Sequence, residues 1–160
     1  MKPEIWYDWD NNKNQSVFEN NFYNLHAPDI KEDTTMDANM KKRNELLAKT
    51  VIKGLESRNM SGYYAQDKEA ALKQALELIP NGSTIAMGGC MSAGEIGLIS
   101  ALEAGNYHYI DRSKMDARAG LMAAYDADIF LSSANAITSD GVMVNIDGNS
   151  NRVSCIAQGP

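Results

Sequence analysis

Three observations predict an α/β fold with a mainly parallel sheet. From residue 37 onward, helix-period patterns alternate with short apolar runs. The stretches between those runs are long enough for helical crossovers, which parallel strands require and hairpins do not. Turn residues punctuate the changes of pattern: Pro80-Asn81-Gly82, Gly88-Gly89, Gly105, Asp140-Gly141 and Asp147-Gly148.

In chain order, residues 1–35 stand apart. They hold seven acids against three lysines, and so −4 of the chain's net charge of −6, with six asparagines and the aromatics Trp6, Tyr7, Trp9, Phe18, Phe22 and Tyr23. Polarity without periodicity predicts an irregular, extended arm, while that many rings call for a surface to pack on, within the monomer or in a homo-oligomer. From Asp37 to Arg58, Met40, Leu47, Val51 and Leu55 recur at helical spacing with Leu46 and Ile52, and Lys41, Lys42 and Arg43 fall on a solvated helix face.

Gly62 to Gln66 reads as a short strand. Asp67 caps a helix carrying Leu72, Leu76 and Ile79. Thr84 to Met87 is the next strand, followed by a helix from about Ser92 to Gly105, a strand from Tyr107 to Asp111, a helix marked by Leu121, Met122 and Tyr125, and a buried strand beginning at Ile129 to Leu131. In the polar run Ser132 to Arg152, Val142, Val144 and Ile146 alternate with Met143, Asn145 and Asp147. Period-two geometry turns the two sets to opposite faces, and the Asp-Gly pairs at either end predict a local antiparallel addition.

At 160 residues the chain is one domain long, enough to bury roughly 70% of its unfolded surface without disulfide staples. Cys90 and Cys155 are its only cysteines, with no CxxC or Cys/His spacing for zinc or a cluster, which suits a reducing cytoplasm. No apolar run approaches the roughly 20 residues of a membrane span, and the acidic N-terminus lacks a signal-peptide layout. The negative net charge argues against a sequence-independent nucleic-acid binder.

Ligands of open α/β sheets bind beyond the carboxyl ends of the strands. Three loops qualify. In Gly88-Gly89-Cys90-Met91-Ser92, two glycines let backbone approach a small anion at a helix start. The spacing matches neither GxGxxG nor a Walker loop, since Glu95 stands where the phosphate-binding lysine belongs. Ser92 and Glu95 also read as a capping box, against a role for Glu95 as acid, base or nucleophile. Cys90 is more simply an inert small residue than a thiolate.

The second loop follows Asp111-Arg112, where an acid beside a guanidinium either orients a ligand or forms a salt bridge. The third is the polar run, with Ser133, Asn135, Asp140, Asn145, Asp147, Asn149 and Arg152 as ligand-facing candidates. Its D-x-N-x-N start imitates a calcium loop, but Arg152 replaces the required glycine, which excludes an EF-hand site. The plainer reading is that the Asp and Asn side chains build turns.

The segments AMGGCMSAGEIG, AGNYHYIDR, the run SSANAITSDGVMVNIDGNSNR and the closing IAQGP, in that order, resemble the lactate-utilisation (LUD) domain family from about Met36 to the C-terminus. The resemblance implies a three-layer Rossmann-like fold akin to the sugar-phosphate isomerase and coenzyme A transferase superfamily. It also implies a further strand and helix beyond Gly159-Pro160, which would make residues 36–160 a domain without its usual C-terminal end. In function it implies action beside iron–sulfur oxidoreductase subunits in L-lactate oxidation.

This chain carries no cluster, flavin or nicotinamide motif, so the expected role is accessory or small-molecule binding. Two alternatives stand beside it. One is an acyl- or phosphosugar-handling enzyme using Glu95 or Asp147, and the other is a non-catalytic ligand sensor.

Overall fold

The computed structural model describes residues 38–160, and the N-terminal arm expected over residues 1–35 lies outside the described residues. Three short strands, β1 (Thr84–Met87), β2 (His108–Ile110) and β3 (Ile129–Leu131), form a parallel sheet in the order β2-β1-β3. The register pairs Ile85 of β1 with Tyr109 on one side and Ile129 on the other. Among the described residues there are six helices: α1 (Ala38–Glu56), α2 (Lys68–Leu78), α3 (Met91–Glu95), α4 (Leu98–Ala104), α5 (Ala117–Tyr125) and α6 (Val153–Gln158).

The pleat of β1 separates two cores. Ile85 and Ala86 are both fully buried, and as neighbours on a strand they point to opposite faces. Ile85 packs with Ala75 and Ile79 at the end of α2, Ala93 of α3 and Leu98 and Leu102 of α4. Ala86 packs with Ala124 of α5, Ala127 and Cys155 of α6. Helices therefore cover both faces of a parallel sheet, and the fold is α/β in three layers.

The helix expected as one piece from Ser92 to Gly105 is broken in two. Gly97, at φ +80°, ends α3 and starts α4. The reason lies in the burial: Ala93 and Leu98 are 4% and 3% exposed. On an unbroken helix, five residues at roughly 100° each would put them about 140° apart. The left-handed glycine resets the phase, so both reach the same core.

The strand expected at Gly62 to Gln66 is absent. That segment is irregular chain running back along α1, so close that a Cβ on Gly62 would stand 2.9 Å from Cγ1 of Ile52.

After β3 the chain forms a two-stranded antiparallel hairpin, β4 (Ala136–Ile137) and β5 (Met143–Val144), as the Asp-Gly punctuation predicts. Its turn rests on α1. A Cβ on Gly54 would meet the Asp140 carbonyl oxygen at 2.1 Å, and one on Gly141, itself at φ +80°, would meet the Leu55 amide nitrogen at 2.6 Å. Arg58 fastens the contact by donating from Nη1 to the Asp140 carbonyl at 2.7 Å.

The alternation along 142–147 is present, with Val142, Val144 and Ile146 outward at 39%, 38% and 71% exposure. The polar set faces inward: the Asp147 side chain is only 4% exposed.

Candidate functional site

The loops that follow β1 and β2 leave the sheet toward opposite faces, the first to α3 and the second to α5. Adjacent parallel strands whose connections diverge leave a crevice at their carboxyl ends, the place where open α/β sheets take ligands. A cleft of about 250 Å³ sits there, lined by Met87, Gly88 and Gly89 after β1, by Arg112, Asp116 and Gly120 after β2, and by Asn151.

Gly88 extends the sheet, its N–H donating to the Leu131 carbonyl at 2.9 Å. It is buried beneath Phe130 and Arg152, whose atoms a Cβ would meet at 2.3 and 3.0 Å. Gly89 turns outward at φ +69°, a left-handed conformation that glycine adopts without strain. The backbone is thus laid bare on the cleft wall.

Arg112 follows β2 in a 3-10 turn over Arg112–Lys114. Its Nη1 donates to the carbonyls of Met87 at 3.3 Å and Asn151 at 3.4 Å, both long. Of the five guanidinium N–H groups, those on Nη2 meet no acceptor among the described residues. Gly120 lies under that side chain, where a Cβ would make ordinary contact with its Cβ at 3.5 Å and its Nε at 3.6 Å.

Asp116 caps α5, its Oδ1 accepting from the N–H groups of Arg118 and Ala119 at 3.1 and 3.0 Å. The cleft therefore offers a partly satisfied guanidinium and exposed backbone beside one carboxylate.

Asp111 takes no part in that pairing. Its carboxylate accepts from Ser113 Oγ at 2.6 Å, from Lys114 Nζ at 2.9 Å and from the Ser113 N–H at 3.1 Å. The hydroxyl, the ammonium and the amide together lower its pKa to about 2.

Apart from Asn151, the polar run gathers behind the glycine loop rather than in the cleft. Arg152 donates from Nε to Asp147 Oδ1 at 2.7 Å, from Nη1 to the Ser133 carbonyl at 2.7 Å, and from Nη2 to Asn135 Oδ1 at 2.7 Å and the Ile146 carbonyl at 2.9 Å. The second oxygen of Asp147 accepts the N–H groups of Arg152 at 2.5 Å and Val153 at 2.7 Å, anchoring the start of α6. Burial works against the Asp147 charge, but those amides and the guanidinium outweigh it and hold its pKa below the ordinary carboxylate value. Ser133 touches the glycine loop, its hydroxyl donating to the Gly89 carbonyl at 3.3 Å.

The remaining candidates lie apart. Asp140 sits in the hairpin turn, bonded to the Thr138 hydroxyl and to Arg58. Asn145 is turned inward, with a buried Oδ1 that finds no donor. Asn149 is exposed. Glu95 is on the surface, 4.0 Å from Lys68 Nζ.

No capping box forms with Ser92, because α3 starts two residues earlier than the box requires. Cys90 holds the N-cap without a side-chain cap bond, leaving Ser92 inside the helix. Cys90 and Cys155 are both buried, and burial pushes the Cys155 thiol up.

Asp116 and Gly120 were not among the sequence candidates, and Asn151 entered only as part of the calcium-like pattern. The signals were there: an aspartate ahead of a helix start, and a helix-interior glycine whose cost of about 1 kcal/mol asks for a packing reason.

Among the described residues, no group of three or more His, Cys, Asp or Glu could hold a metal ion, and no helix is long and apolar enough to cross a membrane. The model of the LUD domain family matches residues 48–160, more than two thirds of the chain, and the chain belongs to that family. It is thereby a lactate-utilisation-related protein. No curated protein and no solved structure matches it.

Proposed function

We propose that this protein is a cytoplasmic accessory subunit of L-lactate oxidation that binds a small anion in the cleft between the β1 and β2 loops and acts beside iron–sulfur oxidoreductase subunits. The observation that carries the reading is Arg112, whose Nη2 faces no acceptor among the described residues at the rim of a cleft also lined by Gly88 and Gly89. A guanidinium with donors to spare beside exposed backbone favours a carboxylate or phosphate.

The helices on both faces of the parallel sheet fit a Rossmann-like domain of the sugar-phosphate isomerase and coenzyme A transferase kind. Binding is favoured over acid–base or nucleophilic catalysis by Glu95 or Asp147. Glu95 does not line the cleft, and both oxygens of Asp147 are engaged by Arg152 and Val153.

Titration calorimetry with phosphate, L-lactate and coenzyme A tests the site. One of them binds the wild type, and Arg112→Met weakens it at least tenfold. Absence of binding by all three, or unchanged affinity in the variant, defeats the proposal. Co-purification from cell extract tests the partner: iron–sulfur subunits retained on the tagged chain support the accessory role.

A further inference from the structure

Two opposite charges line the cleft and do not meet. Arg112 and Asp116 are its charged residues. Spaced four apart on one continuous helix they would be neighbours and would pair. The chain between them is not helical: Met115, at φ −118° and ψ 158°, ends the 3-10 turn, and Asp116 is itself extended at φ −66° and ψ 154° ahead of α5. Arg112 therefore donates to the carbonyls of Met87 and Asn151, and Asp116 accepts from the N–H groups of Arg118 and Ala119, with no ion pair between the two among the described residues.

Each keeps capacity to spare. Nη2 of Arg112 meets no acceptor and Oδ2 of Asp116 no donor among the described residues. A ligand that satisfies both must bring an acceptor to one wall and a donor to the other.

We infer that the cleft takes a zwitterion, a small amino acid whose carboxylate sits on Arg112 and whose ammonium sits on Asp116. The inference rests on the reading of the cleft as an anion site and narrows it to one class of carboxylate. Charge balance decides the class. Arg112 and Asp116 cancel, so a bare anion leaves the cleft with an uncompensated negative charge in a chain of net charge −6, whereas an amino acid adds none. A hydroxyl beside the carboxylate would meet the spare oxygen of Asp116 but leave that charge unanswered.

The geometry also sets the orientation. Arg112 is half-buried and Asp116 exposed, so the carboxylate points inward and the ammonium, a strongly hydrated group, stays at the mouth where its desolvation is least. The volume of about 250 Å³ equals that of about eight waters at roughly 30 Å³ each, room for an amino acid with a short side chain against Met87 and Ala117.

L-alanine, L-lactate and propionate differ only in carrying an ammonium, a hydroxyl or a hydrogen beside the carboxylate. Their titration into the full chain, followed by amide shifts in NMR, is joined by L-leucine as a larger amino acid. At least one of the two amino acids binds about fivefold more tightly than L-lactate, the gain expected of a partly exposed ion pair, and propionate binds most weakly. Asp116→Asn keeps a residue that caps helices and removes only the charge. It abolishes the preference for the amino acid and tightens propionate, opposite signs that a loss of fold does not produce.

L-lactate or propionate binding as tightly as both amino acids overturns the inference, as does a preference that survives Asp116→Asn or amino acid and propionate weakened alike by it. If Arg112→Met still weakens L-lactate or propionate in those cases, the anion site stands and the zwitterion alone is rejected. Absence of binding by all four rejects both.

Discussion

Gly54 of α1 lies against the carbonyl of Asp140 so closely that a methyl group on its Cα would stand 2.1 Å from the oxygen. This contact between a helix and a hairpin turn 86 residues later in the chain depends on the missing side chain on one side and on Gly141 on the other. Gly54→Ala gains about 1 kcal/mol of helix propensity. It also forces backbone apart, at about 3 kcal/mol for an overpacked contact. The expected net loss of about 2 kcal/mol appears as a melting temperature lower by roughly 4–8 °C.

Removing the charge of Asp147 has a pH signature. Its pKa is held below the ordinary value, so its ionised form contributes stability above the unfolded pKa of about 3.9, and that contribution disappears as pH falls through the lower folded value. Asp147→Asn is therefore less stable than wild type at neutral pH, and the gap between them narrows as pH falls below about 4. Urea unfolding from pH 7 to pH 3 measures it. A gap that widens toward acid would show that the carboxylate does not carry the contact.

The two glycines of the cleft loop separate packing from backbone strain. Gly88→Ala puts a Cβ 2.3 Å from Phe130 Cζ, in a buried place with little room to yield, and a loss of about 3 kcal/mol follows. Gly89→Ala has open space, its nearest contact being Arg152 Cδ at 3.9 Å, and costs only the left-handed backbone penalty of about 1–2 kcal/mol. Chemical denaturation of both variants ranks Gly88 well above Gly89. Ligand affinity reverses the order for Gly89→Val, whose side chain blocks approach to the exposed backbone.

Both thiols are shielded. Cys155 is 3% exposed with its pKa raised by burial, and Cys90 is 8% exposed. A disulfide reagent at pH 8 is expected to modify the native protein slowly and the urea-unfolded protein at once, at both positions. Fast labelling of native Cys90 would instead mark a thiol open to the glycine loop.

Local pattern made the sheet legible and left the site only half so. The apolar runs at Thr84–Met87, His108–Ile110 and Ile129–Leu131 became strands because each is short, flanked by turn residues and covered on both faces. Gly62 to Gln66 carries a similar run, but its neighbour is α1 rather than another strand, and no local feature distinguishes the two. The phase reset at Gly97 depends on the positions of Ala93 and Leu98 over the sheet, which is a tertiary fact.

In the hairpin, alternation specified two faces without saying which turns inward. Arg152 decides that, since its guanidinium needs Asp147, Asn135 and two carbonyls around it, and those acceptors outweigh the cost of leaving Val144 and Ile146 outside. Asp111 and Arg112 are adjacent in sequence yet serve different neighbours, because Asp111 caps the 3-10 turn that Arg112 opens, so that one meets Lys114 and the other lines the cleft.

Among the described residues, β1 is the strand with a hydrogen-bonded neighbour on each side, whereas β2 and β3 each pair on one. Its amides open only when the whole sheet does, so they are expected to exchange with solvent most slowly in the molecule, while those of β2 open by fraying from the edge. The two walls of the cleft thus differ in stiffness. Met87 and Gly88 leave the immobile strand, and Arg112 leaves the yielding one. A bound anion would tighten the β2 side, and deuterium uptake over residues 108–116 would slow on binding while that over 84–88 hardly changes.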